Sequence, residues 1–70
     1  MMPLVFAEDG AVNVIRRIKG TDEIRHHLSN LGFVVGGTVQ IVSRMGGNVI
    51  VNVKESRIAI DEKMAQKILI

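Results

Sequence analysis

The chain has no cysteine, no tryptophan, no tyrosine, two phenylalanines and a single proline among 70 residues. Without cysteine, neither a disulfide framework nor a thiolate metal centre can supplement the core. With so few aromatic rings, the chain lacks the platforms on which single-stranded bases stack. No apolar run approaches the ~18–20 residues of a membrane-spanning helix. The opening MMPLVFAEDG has no basic leader, and its apolar stretch is broken by Pro3 and ended by Glu8, so it does not read as a secretory signal. Charge of one sign is scarce too: nine Lys and Arg against seven interspersed Asp and Glu leave +2, which disfavours a nucleic-acid partner. The expectation is a soluble, cytoplasmic chain that stands on packing alone.

What is abundant is β-branched. Ten Val and nine Ile fit a pleated sheet better than a helix interior, so the fold is expected to be mainly β. Residues 1–70 read as one small domain, of a size that buries only about 60% of its unfolded surface.

The stretch TDEIRHHLSNLGFVVGGTV, residues 21–39, is the most explicit. Thr21 can cap the free N–H groups of a first turn, and Asp22 and Glu23 place negative charge at the positive end of the helix dipole. Ile24, Leu28 and Leu31 recur at i, i+4 and i+7, a narrow stripe facing the core. With Leu31 as C-cap, Gly32 takes the left-handed position and Phe33 packs back on Leu28. A helix only ~15 Å long does not persist alone in water, so a sheet must hold it.

Around it, Leu4 to Phe6 is expected as a short edge segment, and Glu8-Asp9-Gly10 as a turn into a strand over 11–18. There Val12 and Val14 alternate with Asn13 until Ile15 to Ile18 break the period, which predicts a bulge or strong twist. Gly36-Gly37 precedes a strand over 38–43. Arg44 to Asn48 is expected as a five-residue hairpin loop before the strand Val49 to Lys54. Setting Ser43 opposite Val49 puts Ile41 on Val51 and Val39 on Val53 toward the core, and Val42 on Ile50 outside. Glu55-Ser56 turns into a strand over Arg57 to Ile60. Asp61 caps a helical turn, Glu62 to Lys67, and Ile68 to Ile70 forms a last β segment. About five short strands, one helix after the first strand and a helical turn near the C-terminus predict a small, partly closed barrel.

HLSNLGFVVGGTVQIV resembles the Leu-x-x-Leu-Gly-φ-x-x-Gly-x-x-Val segment of the FeoA family, with Leu28, Leu31, Gly32, Phe33, Gly36 and Val39 on the pattern. Gly10, Val14, Ile18 and Gly20 match the preceding strand and turn, and Gly47-Asn48, RIAID over 57–61, Ala65 and Ile68 match the tail. The resemblance spans essentially the whole chain. It departs at Val35, where the family usually has proline, and in a short N-terminus. It implies an SH3-like barrel that assists bacterial ferrous iron transport without catalysing a reaction. The implied partner is the GTP-binding transporter FeoB, met at the cytoplasmic face of the membrane. Related SH3-like domains end the DtxR-type metal-dependent repressors, which offers a regulatory alternative. No winged-helix segment precedes residue 1 here, which weighs against it.

Candidate site residues follow from charge and exposure. His26 and His27 each have a carboxylate four residues earlier, Asp22 and Glu23. Adjacent helical residues point about 100° apart, so at most a weak divalent-metal site is expected and no cofactor. Arg16, Arg17, Lys19 and Arg25 cluster at the strand-to-helix turn and could meet an acidic or anionic partner surface. The outer pair Val42 and Ile50, with Arg44 and Met45 in the adjoining loop, is the best candidate for a partner surface. It stays open whether the termini cover that pair, and self-association through an edge strand or the same face is a further possibility. No nucleophile–base constellation or phosphate loop appears, so no enzymatic activity is expected.

Overall fold

In a computed structural model describing residues 1–70, two small antiparallel sheets share one apolar interior. In chain order the elements are a 3₁₀ turn (Leu4–Phe6), β1 (Val12–Val14), β2 (Arg17–Ile18), α1 (Asp22–Asn30), β3 (Thr38–Met45), β4 (Asn48–Val53), β5 (Ser56–Asp61), α2 (Glu62–Ala65) and β6 (Ile68–Leu69). The larger sheet has the order β1-β3-β4-β5, and the smaller joins β2 to β6. Backbone bonds between Met2 and Ile70, at 3.0 and 2.8 Å, tie the N-terminus to the outer side of β6. This is the partly closed barrel the strand pattern predicts.

Helix α1 begins and ends as its sequence requires. The Thr21 hydroxyl accepts the Ile24 N–H at 3.2 Å. At the other end Phe33 N–H donates to Leu28 O at 3.0 Å and Gly32 N–H to Ser29 O at 2.9 Å, the paired bonds of a Schellman motif. Leu28 and Phe33 are both fully buried, so the helix stop also delivers Phe33, the largest fully buried side chain, to the barrel. Gly32 holds φ at +108°. A Cβ there would meet Lys54 Cγ at an ordinary 3.6 Å, so glycine is needed for backbone conformation and not for space.

The first strand is split, with its valines turned outward. Val14 pairs with Thr38, Ile15 exchanges backbone bonds with Gly37 and Gly36 at 2.8 Å each, and Arg16 N–H then bonds Leu69 O in the other sheet, also at 2.8 Å. The irregularity anticipated after Val14 is therefore a corner where the chain changes sheets. Ile15 is completely buried at that corner, and strict alternation back from it puts Asn13 inward and leaves Val12 and Val14 64% and 43% exposed. Beyond α1, Val34 to Gly37 forms a turn closed by Gly37 N–H to Val34 O at 3.0 Å, with Gly36 at φ +90°. That places Val35 at the second turn position, the one proline favours in type II turns.

The β3–β4 hairpin is tighter and more irregular than expected. Only Gly46 and Gly47 lie between the paired Met45 and Asn48, so Arg44, Met45 and Asn48 belong to strands. Val39–Val53 and Ile41–Val51 pair as anticipated, but a bulge between Ile41 and Ser43 shifts the rest. Ser43 then faces Ile50, Arg44 faces Val49, and Val42 has no direct partner, so the expected Val42–Ile50 pair does not form. The reason lies at the N-terminus. The extra residue brings Arg44 to the face lined by Val49, where its guanidinium reaches the segment that covers this end of the barrel.

Three smaller differences have local causes. Leu4 to Phe6 winds as a 3₁₀ turn because Phe6 and Ala7 N–H groups bond back to Pro3 and Leu4 carbonyls, at 3.1 and 2.9 Å, which buries Leu4. The β4–β5 turn centres on Lys54 and Glu55, one residue earlier than expected, both left-handed at φ 46° and 63°. Helix α2 ends at Ala65; Asp61 Oδ1 caps Met64 N–H at 2.8 Å as predicted.

Two substitutions test the backbone account with opposite signs. Gly32→Ala should lower unfolding free energy by about 1–2 kcal/mol, the cost of a left-handed L-residue. Glu55→Gly should raise it by about 0.5–1 kcal/mol by relieving the same strain, net of the added chain entropy. Urea melts of the two variants and the parent measure both.

Candidate functional site

The sheet corner and the helix stop together make a groove. Arg16 stands at the corner, Arg17 opens β2, and Arg25 and Ser29 lie one turn apart on the adjoining face of α1; all four line a surface cleft of about 380 Å³. Ile18, Phe33, Val34 and Val35 supply its apolar part. Phe33 is wholly buried at the floor, whereas Val35 is 66% exposed at the rim. Arg25 also makes an ion pair with Asp22 on the solvent side of the helix. A pair this exposed holds the guanidinium only weakly, so Arg25 is free to turn toward a ligand. Arg16, Arg17 and Arg25, close in sequence, thus converge on one site; Lys19 does not line it, and its N–H is bonded to Lys67 O at 2.7 Å.

The hairpin candidates are distributed differently. Arg44 Nε donates to Asp9 Oδ1 at 2.9 Å, Nη1 to Val5 O at 2.7 Å and Nη2 to Ala7 O at 2.8 Å. One planar fork thereby holds three acceptors of the N-terminal segment against β3, a use for which arginine's fixed geometry is suited. Met45 is 69% exposed and Val42 36%, while Ile50 is half-buried between Ser43 and Ala59. From the termini, Leu4 and Ile68 are both in the core. On that outer face a polar row crosses three strands, with Gln40 donating to Gly10 O at 2.9 Å, Asn52 to Gln40 at 3.2 Å and Arg57 to Asn52 at 3.4 Å.

Asp22, Glu23, His26 and His27 all lie exposed on α1. Asp22 is engaged by Arg25, and nowhere does the fold gather three or more of His, Cys, Asp and Glu. Pairs of donors on one helix do not make a resident metal centre. No helix is long and apolar enough to cross a membrane.

A family model described as the FeoA domain matches residues 2–70. The chain belongs to the FeoA family. A protein of Methanocaldococcus jannaschii that carries the name Fe(2+) transport protein A is 30% identical over 70 residues, covering 100% of this chain and 85% of that relative. The crystal structure of an FeoA described as an iron uptake regulatory protein superposes with a TM-score of 0.87 at 28% identity, over 96% of this chain and 89% of the other. A manganese-dependent transcriptional repressor shares the fold alone: its TM-score is 0.84 over 94% of this chain, but the identity is 17% and only 38% of the repressor is covered.

For this FeoA-family chain, sequence reasoning found the arginines but missed the rest of the groove. The Arg25–Ser29 spacing of four was the available signal for Ser29. Ile18, Val34 and Val35 carried none, because only the sheet change after Ile15 and the turn at Gly36 bring them beside the arginines.

Replacing Arg44 with Ala should cost about 1–2 kcal/mol, since a charged donor to partly exposed acceptors is lost. Faster amide exchange at Ala7 and Gly10 should accompany it. Arg44→Lys should recover little, because one ammonium cannot reach three divergent acceptors.

Proposed function

We propose that this chain is a non-catalytic accessory protein of ferrous iron uptake that docks on the cytosolic side of an FeoB-type GTP-binding transporter. The whole-length FeoA match carries this reading. The groove of Arg16, Arg17 and Arg25 is the docking face it favours, because it is the largest concave surface and combines charge with an apolar floor. The exposed Val42 and Met45 beside Ile50, at the opposite end of β3, offer a face for self-association instead. On this reading the protein works in the cytoplasm and reaches the inner face of the membrane through its partner. Self-association through an edge strand, β1 or β5, is compatible with it. The shared barrel of the manganese-dependent repressor favours a second reading, a regulatory interaction domain, on fold alone.

Affinity-tagged protein should co-purify the transporter from membranes, and deletion of the chain should reduce ferrous uptake under anaerobic iron limitation. Normal uptake in the deletion strain, with no transporter recovered, would exclude the accessory role.

A further inference from the structure

We propose that the groove between β2 and α1 recognises an acidic-aliphatic peptide segment, seating a carboxylate among Arg16, Arg17 and Arg25 and an adjoining aliphatic side chain against Ile18 and Val34. The proposal rests on the docking reading above and specifies the chemistry of the segment that docks.

Charge makes the first argument. The whole chain carries +2, of which these arginines contribute three, so the remainder of the protein is −1. No carboxylate lines the groove; Asp22, the ion-pair partner of Arg25, has a side chain 93% exposed and stands outside it. Three arginines therefore line one cleft with only one weak, displaceable counter-ion on the surface. All three lining cations are arginines although the chain also has four lysines. A guanidinium fork matches the two oxygens of a carboxylate, and it is less costly to desolvate than an ammonium. The Ser29 hydroxyl adds a neutral donor on the helix side.

Shape and polarity select among anions. A cleft of about 380 Å³ accommodates a few side chains, and half of its lining residues are apolar. Free inorganic phosphate would leave that apolar half unused. A planar bilayer would meet the arginines and the exposed Val35 at the rim but would not follow the concave surface down to Ile18 and Val34. A peptide carrying a carboxylate next to a Leu or Val side chain fills both halves. The charged pairs would steer association and fix register, and the apolar contact would slow release.

The test uses the full chain and a short fluorescein-labelled peptide of alternating Glu and Leu, read by anisotropy and by amide shifts of the ¹⁵N-labelled protein. Saturable binding is expected, with shifts centred on Ser29, Val34 and Val35, and the matching Gln-Leu peptide should not bind. Joint Arg16→Glu and Arg17→Glu replacement should weaken binding at least about tenfold. If that variant fails to fold, Arg25→Gln serves instead and should weaken binding by about threefold or more. Equal binding of the Gln-Leu peptide, shifts confined to another face, or undiminished binding by the folded variants would overturn the proposal. So would displacement of the peptide by low inorganic phosphate, or binding to phosphatidylglycerol vesicles with none to the peptide. The two readings separate cleanly. Transporter captured equally by parent and charge-reversed variant defeats the groove and leaves docking intact; peptide binding as expected, with no transporter captured, defeats docking and leaves the groove.

Discussion

The hydrogen bond from Phe33 N–H back to Leu28 O, made at the reversal of Gly32, is the constraint on which the rest of the molecule turns. It terminates α1, seats two of the fully buried side chains against each other's backbone, and aims the chain at the Val34–Gly37 turn. That turn is in turn clamped to Ile15 by two backbone bonds, which fixes where the first strand leaves one sheet for the other. A helix this short has no stability of its own, so α1 holds its place only because Leu28 and Phe33 are shared with the barrel. The groove is a by-product of the same closure, since Arg25 and Ser29 ride on the helix and Arg16 and Arg17 on the corner it packs beside.

At the other end of β3, the bulge after Ile41 does a comparable job with polar chemistry. It converts what would have been a regular hairpin into one that presents Arg44 to Val5 O, Ala7 O and Asp9. The N-terminal segment buries Leu4 and Ala7, small gains in apolar area that a chain of this size needs, and a fork of charged hydrogen bonds holds it closed. Arg44 is thus committed to the fold, whereas the arginines of the groove have no comparable backbone acceptors.

Local chemistry was legible in the sequence wherever one residue type has one use. Thr21, Gly32 with Phe33, and Asp61 announced caps that the structure shows atom for atom. What depended on distant partners was not. Val12 and Val14 alternate in a way that suits either face, and only the burial of Ile15 decides that they point outward. The Val42–Ile50 pairing followed from assuming an uninterrupted ladder; the bulge answers to Arg44 and residues 5–9, some 35 positions earlier. The arginines were visible as a run near the turn, but their convergence on an apolar floor required the two-sheet corner. Family membership was readable because glycines and apolar residues that specify the backbone are numerous here, and for the same reason it says little about which surface binds.

The central claim is that the β2–α1 groove, and not the outer face of the large sheet, meets the partner. A photo-reactive phenylalanine analogue placed at Val35, on the rim of the groove, and separately at Ala59, exposed on the outer face of β5, tests it in cells that express the transporter. The account predicts a cross-link to the transporter from position 35 and none from position 59. Cross-linking from position 59 with none from position 35 would contradict it.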